Sequence, residues 1–282
     1  MKIRKLIASL LAALLIVSSV AALADVTIGV PDDTTNEARA LQLLADNGII
    51  ELAEGAGETA TKADVIADGI EIVEVQADQL VNQLPDLDYA VINSNFVLDA
   101  LDAGFEINSA LLTEVEEKYL PRANVIAVNG DNVDADLTKA LVAAATSQQV
   151  KDYIEATYAG AVLSVVDEPT DGYDANVDYD ALAGSTIVIA ATPAPHAQIL
   201  EIVKQILAEK DITLDIAVFT GYTEENPAVD AGDAYANYFQ HQPYLDDYVA
   251  ETGGNVVSVA IVHTEPMGLY GGKQADLSAL GK

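Results

Sequence analysis

The densest chemistry in this chain lies between Asp233 and Leu245, in the run Asp-Ala-Tyr-Ala-Asn-Tyr-Phe-Gln-His-Gln-Pro-Tyr-Leu. It gathers aromatic rings, amide side chains and one of the three histidines, in a sequence with no Trp and only 4 Phe. Such a run suits a pocket for a small ligand with a polar head. Aromatic faces form a rigid, desolvating wall, while amide, imidazole and phenol groups orient the ligand against it. The competing reading is an aromatic-rich helix start packed on its own core, with Pro243 opening the helix in its first turn. Arg39 is a second candidate, in the first turn of a helix expected from about Glu37 to Asp46. The helix dipole opposes a cation there, so Arg39 needs another partner, and a bidentate grip on a carboxylate is the natural one. The alternative is a surface arginine paired with Glu37 or Asp33. A third candidate is Asn93, which ends the apolar strand Leu87 to Asn93, because open α/β sheets hold ligands at the carboxyl ends of their strands. An Asn in that position is also a common turn former.

These segments share a resemblance. The positions Asn237 to Tyr244 resemble the hallmark of the methionine-binding lipoproteins, the solute receptors of one class of ABC transporter, and the spacing to Tyr222 in Phe-Thr-Gly-Tyr fits as well. Pro31 to Leu41 is similar to the family's Pro-Asn-Asp-x-x-Asn-x-x-Arg-Ala-Leu, with Asp32 in place of the usual Asn. Ala-Val-Ile-Asn ending at Asn93, the segment Tyr119 to Val128 with Asn124, and His-Thr-Glu-Pro-Met-Gly-Leu-Tyr at 263 to 270 resemble further family segments, the last two being crossings between lobes. The resemblance implies that Tyr222, Phe239, His241 and Tyr244 wall a ligand side chain. It also implies that Arg39 holds a carboxylate, with Asn93 and Asn124 completing the site. Asn237 and Gln240 are expected to fix the loop, and His196, His263 and Glu265 to be structural.

The elements that must position these residues can be read in order. Lys2, Arg4 and Lys5 precede an uncharged apolar run from Leu6 to Leu23, and Ala22-Leu23-Ala24 offers a small-residue cleavage site, so residues 1–24 read as an export signal. The rival is an uncleaved anchor. Strands are expected at Val26 to Val30, Ile70 to Val75, Leu87 to Asn93, Asn124 to Val128, Ser185 to Ala190 and Thr213 to Phe219. Helices are expected after Asn36, within Asp136 to Tyr158 and at Ala197 to Lys210. Residues 167–184 carry Asp, Glu, Pro and Gly without apolar period and read as a solvated acidic linker. The half similar to the family's second lobe, residues 25–120, comes first. The half similar to its first lobe, residues 121–282, comes last. The expected fold class is therefore α/β, a two-lobe type II periplasmic-binding architecture in circularly permuted order.

The chain has 282 residues and a formal charge of −32; loss of Lys2, Arg4 and Lys5 with the signal takes this to about −35. That charge disfavours nucleic acid and anionic membranes as partners. With no cysteine there are no disulfides, no thiolate metal sites and no lipid-attachment Cys. Three histidines far apart in sequence do not form a metal motif, and neither a nucleophile elbow nor a phosphate loop is present. The expectation is a non-enzymatic, exported binding protein without metal or cofactor, periplasmic, cell-surface or secreted. Its partners would be methionine or a related amino acid and the permease of an ABC importer. The alternatives are capture of another amino acid or a short peptide, or an amino-acid sensor or scavenger outside transport.

Overall fold

The computed structural model describes residues 26–101, 104–106, 109–158 and 160–282; the expected signal at 1–24 lies outside them. The first sheet starts with β1 (Val26–Pro31), whose Ile28 to Pro31 are buried. α1 (Thr34–Asp46) follows, capped by the Asp33 side chain, which accepts from the Asn36 N–H. Its buried stripe of Ala38, Ala40, Leu41 and Leu44 lies against the sheet, and Gly48 in the left-handed conformation (φ +63°) turns the chain at its end. β2 (Ile70–Val75) and β3 (Tyr89–Ile92) both pair parallel to β1. β3 is buried throughout and feeds directly into the short helix α2 (Ser94–Asp99), so Asn93 occupies the turn between strand and helix. β4 (Leu112–Thr113) is the edge strand.

A 3₁₀ turn at Leu120–Arg122 carries the chain into β5 (Asn124–Asn129), an interior strand of a separate second sheet. α3 (Asp136–Ala145), α4 (Gln148–Tyr158) and the edge strand β6 (Leu163–Ser164) follow. Next come β7 (Thr186–Ala191), α5 (Gln198–Ala208), β8 (Thr213–Val218), α6 (Glu225–Ala231), β9 (Ala236–His241), α7 (Gln242–Thr252) and β10 (Val256–Thr264). The chain then crosses back into β11 (Gly268–Gly271), which inserts between β3 and β4 of the first sheet, and a 3₁₀ turn at Leu277–Leu280 follows.

The orders are β2-β1-β3-β11-β4 and β8-β7-β9-β5-β10-β6. Each sheet thus has three parallel strands in the spatial order second-first-third, then an antiparallel strand contributed by chain arriving from the other lobe: β5 in one case, β11 in the other. Each lobe has its own core. Ile126, Leu141, Ile154, Ile187, Leu200 and Tyr238 centre the second, while Ile28, Leu41, Leu44, Tyr89 and Leu269 centre the first.

Two expectations need correction. Residues 121–282 do not form one lobe: Leu269 and Tyr270 lie in the first sheet, and Leu277 and Leu280 pack against the core cluster that also receives Val26. The apolar residues of this tail have their partners in the first core, and β3 would otherwise leave one ladder unpaired. Residues 167–184 are not a free linker either. Val177 is buried, Tyr173, Tyr179 and Leu182 pack on the second core, and the Thr170 hydroxyl donates to the Ala143 carbonyl at 2.5 Å. The acidic residues face solvent while the few apolar ones hold the segment down as a strap.

Candidate functional site between the lobes

The carboxyl ends of β1, β3 and β9 and the start of β5 converge on a cavity lined by Asn36, Asn93, Ser94, Asn95 and Glu265 from the first lobe and its returning crossing, and by Asn124, Tyr222, Phe239, Gln240, His241 and Tyr244 from the second. Phe239 is the extra residue of a β-bulge, where the pairing with β5 shifts between Tyr238 and Gln240. A bulge re-aims side chains, and here the three consecutive residues Phe239, Gln240 and His241 all border the cavity, where a regular strand would turn the middle one to the opposite face. Tyr222, Phe239 and Tyr244 form a triangle of rings with centroids 5.8–5.9 Å apart, and Phe96 of the first lobe adds a fourth ring 5.0 Å from Tyr222.

A chain of amides fixes the polar side. Asp33 accepts from the Asn36 amide NH₂ through both carboxylate oxygens, so Asn36 Oδ1 points inward. There it accepts from Asn93 Nδ2 (2.8 Å) and from His241 Nε2 (3.3 Å) across the lobes. His241 Nδ1 accepts the Tyr244 N–H as the cap of α7, which sets the tautomer with the proton on Nε2. Burial, then the charges of Arg39 and Arg122, hold its pKa well below the ordinary value, so the ring is neutral. The Tyr222 hydroxyl donates to Asn95 Oδ1 (2.7 Å), a second bridge between lobes, and burial followed by the charge of Glu265 pushes its pKa up. Gln240 lines the cavity while its amide is locked to Asn226 and Asn237, so it both borders the site and fixes the strand.

The cavity measures about 20 Å³, room for about one water. Ligand sites run from roughly 300 Å³ upward. A molecule of about a dozen heavy atoms therefore fits only if the lobes separate and the His241–Asn36 and Tyr222–Asn95 bridges open.

Of the seven residues singled out in the sequence, Tyr222, Phe239, His241, Tyr244, Asn93 and Asn124 line this cavity; Arg39 does not. Its guanidinium forms a buried fork with Glu114, Nε to Oε1 at 2.8 Å and Nη2 to Oε2 at 2.5 Å, and Nη2 also donates to the Glu265 carbonyl at 2.9 Å. The carboxylate that the helix-dipole argument required is thus internal, and it comes from the residue that follows β4. Asn36, Ser94, Asn95, Gln240 and Glu265 were not singled out as binding residues. Asn36 and Asn95 each stand within three residues of one that was, a proximity that could have flagged them.

The histidines separated in sequence also meet in space. His196, His263 and Glu265 present ligand-type atoms within 4.8 Å of one another, a set that could hold a metal. Both ring nitrogens of His196 are already used: Nδ1 pairs with the Thr192 hydroxyl (2.7 Å) and Nε2 with Asn124 Oδ1 (3.0 Å). Burial and the neighbouring His263 hold its pKa well below the ordinary value.

The sequence profile of a family described as NlpA lipoprotein matches residues 16–166 and 187–282. The chain belongs to the NlpA lipoprotein family. Among curated relatives it is 44% identical over 85 residues to the methionine-binding lipoprotein MetQ of Bacillus subtilis, covering 30% of this chain and 31% of that one. It is 33% identical over 145 residues to the D-methionine-binding lipoprotein MetQ of Escherichia coli, covering 48% and 50%. The chain thus spans half or less of the length of these relatives. Among solved structures, one from Ruminococcus gnavus is 42% identical with a TM-score of 0.46, covering 51% of this chain and 61% of that one. A nutrient-binding protein from Burkholderia cenocepacia bound to methionine is 41% identical with a TM-score of 0.27, covering 28% and 34%.

In this NlpA-family chain two buried carboxylates make opposite predictions. Glu114→Gln leaves Arg39 buried without its counter-ion and should lower stability by about 3–5 kcal/mol, read from urea unfolding; a change under ~1 kcal/mol would mean that the fork is dispensable. Glu225, at the start of α6, has no exposed surface and neither oxygen has a hydrogen-bond partner, and burial raises its pKa to about 8. The native state therefore holds a proton that the unfolded chain releases near 4.5, so its contribution to stability falls as pH rises from about 4.5 to about 8. Glu225→Gln should remove that slope, its advantage over wild type growing to roughly 2–4 kcal/mol at pH 8.5; parallel stability curves from pH 4.5 to 8.5 would exclude the assignment.

Proposed function

We propose that this chain is an exported, non-enzymatic solute-binding protein that captures methionine or a related amino acid by closure of its two lobes and delivers it to an ABC importer. The observation that carries the reading is the cavity itself. An aromatic triangle from one lobe faces oriented amides from the other, so contacts to a ligand are complete only when both lobes meet. Binding free energy is then realised in the closed state and shifts the population toward it. Tyr222, Phe239, His241 and Tyr244 wall the ligand side chain, the rings offering their faces and edges to a thioether. Asn93 and Asn124 orient its polar end, and Arg39 acts through the crossing rather than by touching the ligand. The names of the B. subtilis and E. coli relatives support methionine as the solute. A basic start, an apolar run and a small-residue site support export by the segment 1–24, and with no cysteine the chain has no side chain for a thioether-linked lipid.

The order of the halves reads as a circular permutation. Each lobe begins with its own parallel β-α-β unit and then sends a strand into the other sheet, so either half can come first and give the same fold. The matched blocks 16–166 and 187–282 flank the strap, and Val26 packs on the same core cluster as Leu277 and Leu280, where a junction in the other order would lie. A variant beginning at Ser185, running through Lys282 into Val26 and ending at Val166 should unfold cooperatively and bind the same ligand within about tenfold. An insoluble or unfolded product would reject the permutation.

The function is tested by thermal shift of the purified protein against the twenty amino acids and a set of sugars and polyamines. Methionine at 100 times its Kd should stabilise by about 2.7 kcal/mol, and Phe239→Ala should abolish most of the shift. Stabilisation confined to compounds that are not amino acids would refute the reading.

A further inference from the structure

Three side chains meet at the hinge: His196 in the turn after β7, His263 near the end of β10, and Glu265 on the returning crossing. Each offers one ligand-type atom, the three atoms lie within 4.8 Å of one another, and all three residues are more than nine-tenths buried. His263 Nε2 and Glu265 Oε2 have no hydrogen-bond partner, and Glu265 Oε1 stands 3.8 Å from His263 Nε2, too far for a hydrogen bond to join them. Unpartnered buried polar atoms are rare, and each calls for a cause, a bound ion being one. The Glu265 carboxylate also lacks a cation: Arg39 donates to its backbone carbonyl and gives its fork to Glu114. A buried carboxylate without a positive partner is costly.

The other nitrogens are arranged as metal-bound imidazoles need them. A ligating ring gives one nitrogen to the ion and anchors the second to an oxygen. Here Nδ1 of His263 pairs with the Tyr238 hydroxyl, and Nδ1 of His196 with the Thr192 hydroxyl at 2.7 Å. A hydroxyl oxygen can accept from Nδ1–H, which leaves Nε2 of each ring with a bare lone pair. His196 Nε2 faces Asn124 Oδ1 at 3.0 Å, so an ion that replaces the proton between them meets an oxygen on its far side, while that proton moves to Nδ1 and donates to Thr192. Ligands about 2.0–2.1 Å from a tetrahedral Zn²⁺ are about 3.3–3.4 Å apart. The separations of 3.0 and 3.8 Å bracket that edge.

We propose that His196, His263 and Glu265, with Asn124 Oδ1 as fourth ligand, form a site for one Zn²⁺-class cation at the hinge. Two imidazoles select such an ion over Mg²⁺ and Ca²⁺, which take all-oxygen shells. The net charge of −32 raises the local concentration of any cation. Asn124 and Glu265 also border the cavity, which gives the ion its path inward when the lobes part. Asn124 opens β5 and Glu265 lies on the returning crossing, so the ion fastens both crossings to the second sheet.

Titration of the purified, metal-stripped protein with Co²⁺, in a large excess of Mg²⁺ to occupy exposed carboxylates, tests the site. One Co²⁺ per chain should bind with the strong visible bands of a tetrahedral centre, and Zn²⁺ should displace it. Zn²⁺ at 100 times its Kd should raise the melting temperature by roughly 5 °C or more. Glu265→Gln and His263→Gln should each weaken Co²⁺ at least 30-fold, whereas Asp152→Asn, on exposed α4, should leave it unchanged. Where a variant fails to fold, the wild type still decides. The chain has only three histidines, so long-range ¹H–¹⁵N spectra resolve every ring, and Zn²⁺ should shift Nε2 of two of them and leave the set that His241→Gln deletes unligated. Weak octahedral Co²⁺ bands that Mg²⁺ abolishes, or three imidazoles that Zn²⁺ leaves unshifted, overturn the proposal.

Discussion

The buried fork between Arg39 and Glu114 is the constraint on which the arrangement between the lobes depends. It joins α1 to the end of β4, and Glu114 Oε2 also accepts the Met267 N–H at 2.8 Å while Arg39 holds the Glu265 carbonyl. Two ions taken out of water repay their desolvation only in good geometry with their remaining sites filled, and removal of either leaves an uncompensated charge. The returning crossing is therefore pinned on both sides of Pro266. Its register decides that Glu265 borders the cavity and that Leu269 enters the first sheet. A pair of charges far from solvent thus serves as a locating pin at the hinge.

Around that pin the two lobes are built alike and completed by exchange. Each sheet takes an antiparallel strand from chain that has just left the other lobe, so neither core closes without a crossing. The crossings run side by side: the Thr264 hydroxyl donates to the Tyr119 carbonyl at 2.9 Å, linking the residues from which the two crossings depart. Rigid bodies joined by two short adjacent strands can rotate about that line with small dihedral changes, which is the hinge mode expected of such a cleft.

Polarity inside the cleft is organised rather than merely tolerated. Asp33 orients Asn36, and Asn36 orients both Asn93 and the Nε2–H of His241. A neutral imidazole and un-ionised phenols border the site, and Glu265 is the one acidic side chain among the described residues of its lining. In a desolvated space each such group interacts strongly with whatever it faces, so a few fixed dipoles discriminate more sharply than many exposed ones. The bridges His241–Asn36 and Tyr222–Asn95 hold the lobes together through residues that border the cavity, so widening the cavity between the lobes breaks them.

The sequence by itself carried the local terms. Period-two apolar runs marked β2, the apolar run followed by a capping cluster marked β1 and α1, and Phe239, His241 and Tyr244 stood out by their density within one strand-turn-helix, whereas Tyr222, on the far side of α6, was joined to them by the family resemblance. Helix bounds were legible to within a few residues, since Asp33 and Pro243 act on their own neighbours. What it could not carry were partners set by long-range closure. Glu114 lies 75 residues from Arg39, so the arginine looked free for a ligand when its counter-ion was internal. His196 and His263 looked isolated because their meeting requires β7 and β10 to sit in one sheet. The tail after Thr264 looked continuous with the second lobe, yet an unpaired ladder beside β3 and an unfilled first core drew it across. Periodicity and capping are properties of neighbouring residues and survive in any fold. The pairing of buried charges and the filling of a distant sheet edge are decided only when the chain closes on itself, because only then does water leave and the cost of an unpaired group appear.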